Sequence, residues 1–141
     1  MKGQITLTMI KPFAVKQKKV GQIISDIEKN GFYIRALKMT QLSPEKAAAF
    51  YAEHKGKPFF DELIDFMCSG PIVVALLQKN NAVEDFRKLI GSTDPSMAAE
   101  GTIRKKYAED KTRNAIHGSD SDESATKEAS FFFSFIEQYI Y

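Results

Sequence analysis

The residue pattern that most suggests chemistry is a histidine followed at once by a glycine. His117 ends an alternating run after Ala115 and Ile116, and Gly118 would let a bulky group approach the ring. The carboxylate of Glu128 could fold back onto one imidazole nitrogen, which would fix the tautomer and leave the other nitrogen as a nucleophile near neutral pH. In an arbitrary sequence such a histidine more often packs or caps at a strand end. Spacing alone leaves both interpretations open.

Three positively charged residues could bind phosphate near this histidine. Lys11 ends an apolar alternating segment, Arg87 lies beside the inward stripe of a predicted helix, and Arg104 lies in a segment without apolar periodicity. Guanidinium groups bind phosphate oxygens in pairs, and phosphoryl transfer needs mainly positioning and charge neutralisation. Taken singly, each cation is more often a solvated surface charge. Converging beside one histidine, they would suffice for phosphoryl transfer.

Aromatic residues near a predicted pair of helices form a third candidate group. Phe59 falls one position off an apolar stripe, so we expect a surface ring that can stack on a base without reading its identity. The alternative is an ordinary core residue. Tyr51 and His54 lie between the two predicted helices and could reach a phosphate, although by themselves they are uninformative.

Composition and missing motifs exclude several classes of function. No Walker loop or GxGxxG motif follows a predicted strand, so phosphate binding would depend on side chains. His54, His117 and Cys68 lack metal-ligand spacing, so a metal would arrive with a ligand. The net charge of +2 argues against nucleic acid or an acidic membrane as the main partner. One cysteine and no membrane-length apolar run favour a cytoplasmic protein.

Hydrophobic periodicity in the 141 residues predicts one α+β domain spanning residues 1–141. We expect strands over 4–10, 32–42 with a bulge near 36–37, 72–77 and 114–118, and helices over 20–30, 43–53, 57–70, 81–90 and 119–129. Residues 91–113 show no apolar period and are a candidate site, while the aromatic tail 131–141 must dock. This order predicts a ferredoxin-like sandwich, a four-stranded antiparallel sheet with helices packed on one side.

Several short motifs together resemble one family along nearly the whole chain. Residues 114–120, NAIHGSD, are similar to the NxxHGSD signature of the nucleoside diphosphate kinases. The supporting motifs, in order, are TMIKP at 8–12, PFF at 58–60, SGP at 69–71, GSTDP at 91–95 and GTIR at 101–104. Because several independent motifs occur in the same order, the resemblance is hard to produce by chance.

The resemblance implies a ping-pong exchange of the terminal phosphoryl group between nucleoside triphosphates and diphosphates. Mg²⁺ would be the cofactor, carried on the substrate phosphates rather than by protein ligands. His117 would accept the phosphoryl group through Nδ1, and Glu128 would orient the ring. By motif, Lys11 and Asn114 would hold the ribose 3′-hydroxyl and the phosphates.

Further roles follow from the same resemblance. Arg87, Thr93 and Arg104 would clamp the β- and γ-phosphates. Tyr51 would stand near the transferred group and His54 near the phosphate chain. The loop from residue 91 onward would shape the nucleotide pocket and make contacts between subunits.

Phe59 would lie against the base, and two residues near the site depart from the family pattern. Phe13 stands where family members commonly have aspartate, and Lys111 replaces a usually apolar residue near the base pocket. The implied partners are nucleoside di- and triphosphates and further copies of the chain, with dimer, tetramer and hexamer left open.

Two other classes of function compete with this phosphotransferase. A non-catalytic ferredoxin-like module could sense a nucleotide and signal through oligomer contacts, and the chemistry of His117 separates it from an enzyme. Nucleic-acid binding is a third hypothesis, and the nearly balanced charge gives it little support.

Overall fold

The computed structural model describes residues 3–141 and contains the predicted four-stranded antiparallel sheet. The strand order is β2-β3-β1-β4, and each neighbouring pair is antiparallel. The strands are β1 (Ile5–Ile10), β2 (Tyr33–Thr40), β3 (Ile72–Gln78) and β4 (Ile116–Gly118). This arrangement confirms the ferredoxin-like α+β prediction and puts β1 beside the histidine-bearing strand β4.

Residues 3–141 also form seven α-helices and three short 3₁₀ turns, of which the last helix and the last 3₁₀ turn follow β4. The helices are α1 (Pro12–Lys16), α2 (Val20–Lys29), α3 (Pro44–Phe50), α4 (Phe60–Met67), α5 (Ala82–Ile90), α6 (Ile103–Tyr107) and α7 (Asp122–Phe132). The 3₁₀ turns are Ala52–His54, Pro95–Met97 and Phe135–Glu137. In this described part of the chain, every helix is too short or too polar to cross a lipid bilayer.

Helices cover both faces of the sheet, so the expectation of helices on one side is wrong. Val74 and Leu76 of β3 pack in a cluster with residues of α3, α4 and α7. Val73 and Leu77 point the other way, into a second cluster with residues of α2, α5 and α6. The physical reason is the continuous apolar sequence of β3, because a strand without polar alternation must be covered on both faces.

The segment 91–113 is more ordered than the sequence suggests. It contains the 3₁₀ turn Pro95–Met97 and helix α6, where we expected no regular structure. The hydroxyl of Thr102 caps α6 by accepting a hydrogen bond from the backbone N–H of Lys105 at 3.3 Å. Because α6 has only five residues, an apolar period of 3.6 cannot show in its sequence.

Helix α1 was not expected either, and it follows directly from the end of β1. Pro12 occupies the first turn, where a missing N–H costs nothing, and Phe13 is partly buried in the helix. Before it, the backbone N–H of Lys11 donates to the carbonyl of Ala115 at 2.9 Å. Ala115 has a φ of 75°, a left-handed conformation that costs an alanine on the order of 1–2 kcal/mol. This bond ties the end of β1 to the chain just before β4.

The aromatic tail docks on the outer strand of the sheet. The backbone N–H of Tyr139 donates to the carbonyl of Arg35 at 2.8 Å, and the Tyr141 hydroxyl donates to the carbonyl of Ile34 at 2.9 Å. The β2–β3 register shifts between Ile34 and Ala36, next to the predicted bulge. The tail therefore binds carbonyls at the irregular part of β2, an edge strand that would otherwise leave them exposed.

Candidate active site

A cavity of about 590 Å³ brings together all the residues that the sequence analysis proposed for the site. Its volume suits a small-molecule ligand. It lies between the α3–α4 pair on one side and β4 with the segment 91–114 on the other. The proposed residues that line it are Lys11, Tyr51, His54, Phe59, Arg87, Thr93, Arg104, Asn114, His117 and Glu128.

A short chain of hydrogen bonds holds the imidazole of His117. Its Nε2 lies 2.9 Å from Oε1 of Glu128, and the Ser119 hydroxyl donates to the same oxygen at 2.7 Å. The Ser119 hydroxyl in turn accepts from the backbone N–H of Leu7 at 3.0 Å. A carboxylate accepts hydrogen bonds, so Nε2 carries the proton and Nδ1 keeps its lone pair. Among residues 3–141, Nδ1 has no hydrogen-bond partner.

Sequence reasoning missed two residues that position this histidine. Ser119 was expected only as the first residue of the helix predicted over 119–129, although it belongs to the quoted NAIHGSD motif; Ser121 is the residue that caps α7. Phe50, at the end of α3, meets the imidazole edge to face with ring centroids 5.5 Å apart. The sequence carries no signal for Phe50, because only the fold brings α3 against β4.

Gly118 contacts α5 closely as well as lining the cavity. We expected it to let a group approach the imidazole, and its place in the cavity lining is compatible with that role. A Cβ at this position would also meet Phe86 and Ile90 of α5 at 3.0 Å, closer than most side-chain contacts. The glycine therefore lets helix α5 pack closely against β4, and α5 carries Arg87 to the cavity.

Two of the three cations, Lys11 and Arg104, are buried without a counter-ion, and the third, Arg87, is exposed. Lys11 and Arg104 are 6% and 7% exposed. Among residues 3–141, neither has a carboxylate within 4.0 Å. Burial and the neighbouring Arg104 lower the pKa of Lys11 to about 7, while burial and Arg87 lower the pKa of Arg104 to about 10. Such a cluster suits a ligand with several negative charges.

Arg104 is held in place by backbone carbonyls rather than by acids. Its two terminal nitrogens donate to the carbonyls of Gly91 at 2.9 Å and Ile116 at 2.8 Å. These bonds join the end of α5, helix α6 and β4 around one guanidinium. Because no carboxylate neutralises it, the full positive charge remains for a ligand.

Three buried polar atoms in the cavity have no hydrogen-bond partner among the described residues. They are the hydroxyl of Tyr51, Nε of Arg104 and Oδ1 of Asn114. Burial, and secondly Glu128, raises the pKa of Tyr51, so its phenol stays protonated and can donate. Since buried polar groups are normally paired, three unpaired ones around one cavity indicate a polar ligand.

The opposite part of the cavity is open and aromatic. Phe59 is 44% exposed, in agreement with the surface position expected for it. Its ring lies 5.4 Å from that of His54, and the ammonium of Lys57 lies 5.9 Å from its centroid. Thr93 is exposed in the loop that follows α5. An aromatic face in this position is available for stacking.

Comparison with known proteins identifies the family and the fold. A family model described as nucleoside diphosphate kinase matches residues 4–137. The chain belongs to the nucleoside diphosphate kinase family. It is 56% identical over 128 residues to the nucleoside diphosphate kinase of Chlorobium luteolum, covering 91% of each protein. It is 54% identical to that of Flavobacterium psychrophilum, covering 95% of this chain and 96% of the relative.

Solved structures of the family have the same architecture. The Aquifex aeolicus nucleoside diphosphate kinase superposes with a TM-score of 0.94 at 44% identity, covering 96% of this chain and 98% of the other. The Halobacterium salinarum enzyme, solved in complex with CDP, also gives 0.94 at 35% identity, covering 100% of this chain and 93% of the other. These findings confirm the family resemblance, the ferredoxin-like fold and a phosphotransferase.

Proposed function

We propose that this chain moves the γ-phosphoryl group from a nucleoside triphosphate to a nucleoside diphosphate in two steps, through a phosphohistidine at Nδ1 of His117. One observation carries the proposal. Oε1 of Glu128 accepts a hydrogen bond from Nε2 of the ring at 2.9 Å, which leaves Nδ1 as the nucleophile. The same cavity is lined by Lys11, Arg87 and Arg104. We call the part lined by these three cations and His117 the phosphate end, and the part lined by Phe59 and Lys111 the base end.

In the first step the Nδ1 lone pair attacks the γ-phosphorus. The bond between that phosphorus and the bridging β-γ oxygen breaks, and the diphosphate leaves with its electron pair. The phosphorylated ring then carries a positive charge, which the Glu128 carboxylate stabilises through Nε2–H. In the second step a β-phosphate oxygen of another diphosphate attacks the phosphorus, the P–N bond breaks and its electrons return to Nδ1.

The cationic residues stabilise the charge on the transferred group. Arg104 and Arg87, with the Thr93 hydroxyl, clamp the β- and γ-phosphates. The unpaired phenol of Tyr51 donates near the transferred group, and His54 lies near the phosphate chain. Because this cluster is already assembled, little reorganisation is needed when the nucleotide binds.

Lys11 and Asn114 hold the sugar and phosphates, and Phe59 holds the base. The buried Oδ1 of Asn114 has no partner in the described residues and can accept a hydrogen bond from the ribose 3′-hydroxyl. Stacking on Phe59 accepts any base, because every base has a π-face. The proposed partners are therefore nucleoside di- and triphosphates in general.

The carboxylates present fit Mg²⁺ carried by the substrate. The Glu128 carboxylate already has two partners, His117 and Ser119. Asp120 also has a partner, because a hydrogen bond from the Ser124 hydroxyl is the largest cause that lowers its pKa. Within residues 3–141 no cluster of three or more potential ligands could hold a metal ion. Mg²⁺ carried on the substrate phosphates would neutralise part of their charge, and the cationic side chains would neutralise the remainder.

The test is to phosphorylate the protein and follow the label. Incubation with ATP labelled on the γ-phosphate and Mg²⁺ should give a base-stable, acid-labile phosphoprotein that passes its label to GDP. His117→Ala should take up no label, while His54→Ala, which alters another histidine of the cavity, should still be labelled. Full exchange activity in His117→Ala would overturn the phosphohistidine at this residue, whereas a parent protein that takes up no label and exchanges no phosphate would reopen the nucleotide-sensing alternative.

We further propose that residues 1–141 act as one domain in a cytoplasmic homo-oligomer. The two apolar clusters on one sheet support the single domain. Exposed apolar side chains on β2 and the tail support self-association, namely Tyr33, Leu37, Met39, Phe135, Ile136 and Ile140. Light scattering coupled to size exclusion measures the assembly, and a monomer at micromolar concentration would contradict it.

A further inference from the structure

The amine of Lys11 lies close to a guanidinium at the buried end of β1. Lys11 follows Ile10, the last residue of β1, and its backbone N–H donates to the carbonyl of Ala115 at 2.9 Å. The next carbonyl along the chain, that of Ile116, accepts from a terminal nitrogen of Arg104 at 2.8 Å. The Coulombic effect of Arg104 on the pKa of Lys11 shows that the two charged groups are close. Consecutive carbonyls of one segment therefore hold both residues at the phosphate end.

The side chain of Lys11 has no partner that would neutralise it. Among residues 3–141 its Nζ has no hydrogen-bond acceptor and no carboxylate within 4.0 Å. Three carboxylates line the same cavity, those of Glu53, Asp120 and Glu128. Glu53 and Asp120 are exposed, and Glu128 is hydrogen-bonded to His117. Lys11 is buried but lines the cavity, so a small molecule bound there can contact its amine.

These surroundings make the Lys11 amine a nucleophile near neutral pH. Burial, and secondly the nearby Arg104, lowers the pKa of Lys11 from 10.5 to about 7, so much of the side chain is uncharged near neutral pH. A neutral amine has a free lone pair, and lysines that are desolvated or lie beside another cation form Schiff bases with carbonyl compounds. Arg104, with a pKa of about 10, stays charged under the same conditions and can bind an anion.

We propose that the amine of Lys11 forms a Schiff base with small aldehydes that carry a phosphate group. The phosphate binds at the phosphate end, where Arg104 and Arg87 each offer a guanidinium to its oxygens. The aldehyde carbon then lies in the same cavity as the amine. Once attached, the aldehyde occupies the space of the nucleotide phosphates, so the modification inhibits phosphoryl exchange. The proposal needs only the buried amine and the two guanidinium groups, and does not depend on a phosphohistidine at His117.

Formation of the Schiff base releases one molecule of water. The amine nitrogen attacks the carbonyl carbon, the C–N bond forms, and the π electrons of the carbonyl move to its oxygen. A proton passes from the nitrogen to this oxygen, which gives a carbinolamine. The hydroxyl group and the remaining N–H proton leave as water, and the nitrogen lone pair forms the C=N bond. Because the attack needs that lone pair, only the uncharged form of Lys11 reacts.

Pyridoxal 5′-phosphate is the probe, used near pH 8, where a neutral fraction remains even after a phosphate has raised the pKa of the amine. Borohydride reduction of the imine makes the label permanent, and peptide mapping locates it. We expect one label per chain, on Lys11, with exchange activity lost in proportion to the labelling. ADP should protect both the amine and the activity. Pyridoxal, which lacks the phosphate, should react about tenfold more slowly, the effect of losing one charge-assisted hydrogen bond.

Two variants separate Lys11 from the other lysines. Lys11→Met should take up no label, whereas Lys111→Met, which removes an exposed lysine of the same cavity, should be labelled at Lys11 like the parent. Label spread over exposed lysines of the parent, or equal reaction with pyridoxal, would overturn the inference, and neither result requires that a variant folds. Full exchange activity in protein labelled at Lys11 would overturn it as well. A parent that is labelled at Lys11 but exchanges no phosphate would refute the proposed function and leave this inference in place.

Discussion

The two ends of the cavity are built in opposite ways. At the phosphate end Lys11 and Arg104 are buried, and backbone carbonyls of β4 and the end of α5 hold the Arg104 guanidinium. Arg87, the third cation of this end, is exposed. At the base end Phe59 and Lys111 are exposed, and their side chains have few polar contacts. The two buried cations thus lie where water is excluded and interactions are strong, while the base contacts lie where the side chains can vary.

This difference also separates function from stability. Gathering desolvated cations without a counter-ion disfavours the folded state, and burial lowers the pKa values of Lys11 and Arg104 for that reason. Phe59 carries no charge and its ring is 44% exposed, so it adds no such desolvation cost to the folded state. Substitutions at the phosphate end should therefore change turnover strongly, and those at the base end should change mainly KM.

Among substitutions that leave His117 in place, Arg104→Ala should have the largest effect. Removal of one charged donor from a preorganised site lowers kcat by about 10²–10³-fold. The lost bonds to the carbonyls of Gly91 and Ile116 should reduce the free energy of unfolding by about 1–3 kcal/mol. Steady-state exchange kinetics and urea unfolding measure the two effects, with Lys105→Ala of the same helix as control. Turnover equal to that of the parent would remove Arg104 from the site.

Glu128→Gln should come next, with kcat lower by about ten- to a hundredfold. The amide oxygen can still accept from Nε2 of His117, so the tautomer persists, but the charge that stabilises the phosphorylated ring is lost. Rapid-quench measurement of phosphohistidine formation isolates this step. Ser119→Ala, which removes one donor to the same carboxylate oxygen, should lower the rate less. A rate unchanged in Glu128→Gln would show that the carboxylate only orients the ring.

Phe59→Ala tests the base end. Loss of base stacking should raise KM by about tenfold with kcat nearly unchanged, because the ring is partly solvated and far from the reacting phosphorus. The free energy of unfolding should change little, since the side chain is 44% exposed. Steady-state kinetics with several diphosphates checks the prediction. A kcat that falls as much as in Arg104→Ala would remove the contrast between the two ends.

The smallest expected effect is uptake of less than one proton by Lys11 on nucleotide binding. Its pKa is about 7 in the free protein, and nearby phosphates should raise it, so near pH 8 the complex takes up a proton. Calorimetry in buffers of different ionisation enthalpy measures this uptake, and Lys11→Met should abolish it. Equal uptake in that variant would assign the proton to another group.

The same shift gives a stability profile for the free protein. An unfolded lysine has a pKa near 10.5, so between about pH 7 and 10.5 the unfolded chain binds more protons than the folded one. The Lys11 contribution to the free energy of unfolding therefore rises with pH across this window. Lys11→Met should remove the rise, which urea unfolding at several pH values measures.

Much of the framework could be predicted from the sequence alone. Alternation in β1 and the apolar run of β3 predicted their strands, and the motif around His117 with the flanking motifs predicted the family and ten of the residues that line the cavity. These features were readable because side-chain period and reactive residue types are local properties of the chain. The missed helices α1 and α6 are each five residues long, too short for a period to appear.

The contacts between the functional side chains depend on tertiary packing. Packing of α3 against β4 brings Phe50 into contact with the imidazole. The Ser119 hydroxyl accepts a hydrogen bond from the backbone N–H of Leu7 and donates one to Glu128. Tertiary packing also covers both faces of the sheet. Contacts between residues far apart in sequence depend on packing of whole elements, which no local pattern encodes. The burial that lowers the pKa of Lys11 is for the same reason a property of the folded molecule alone.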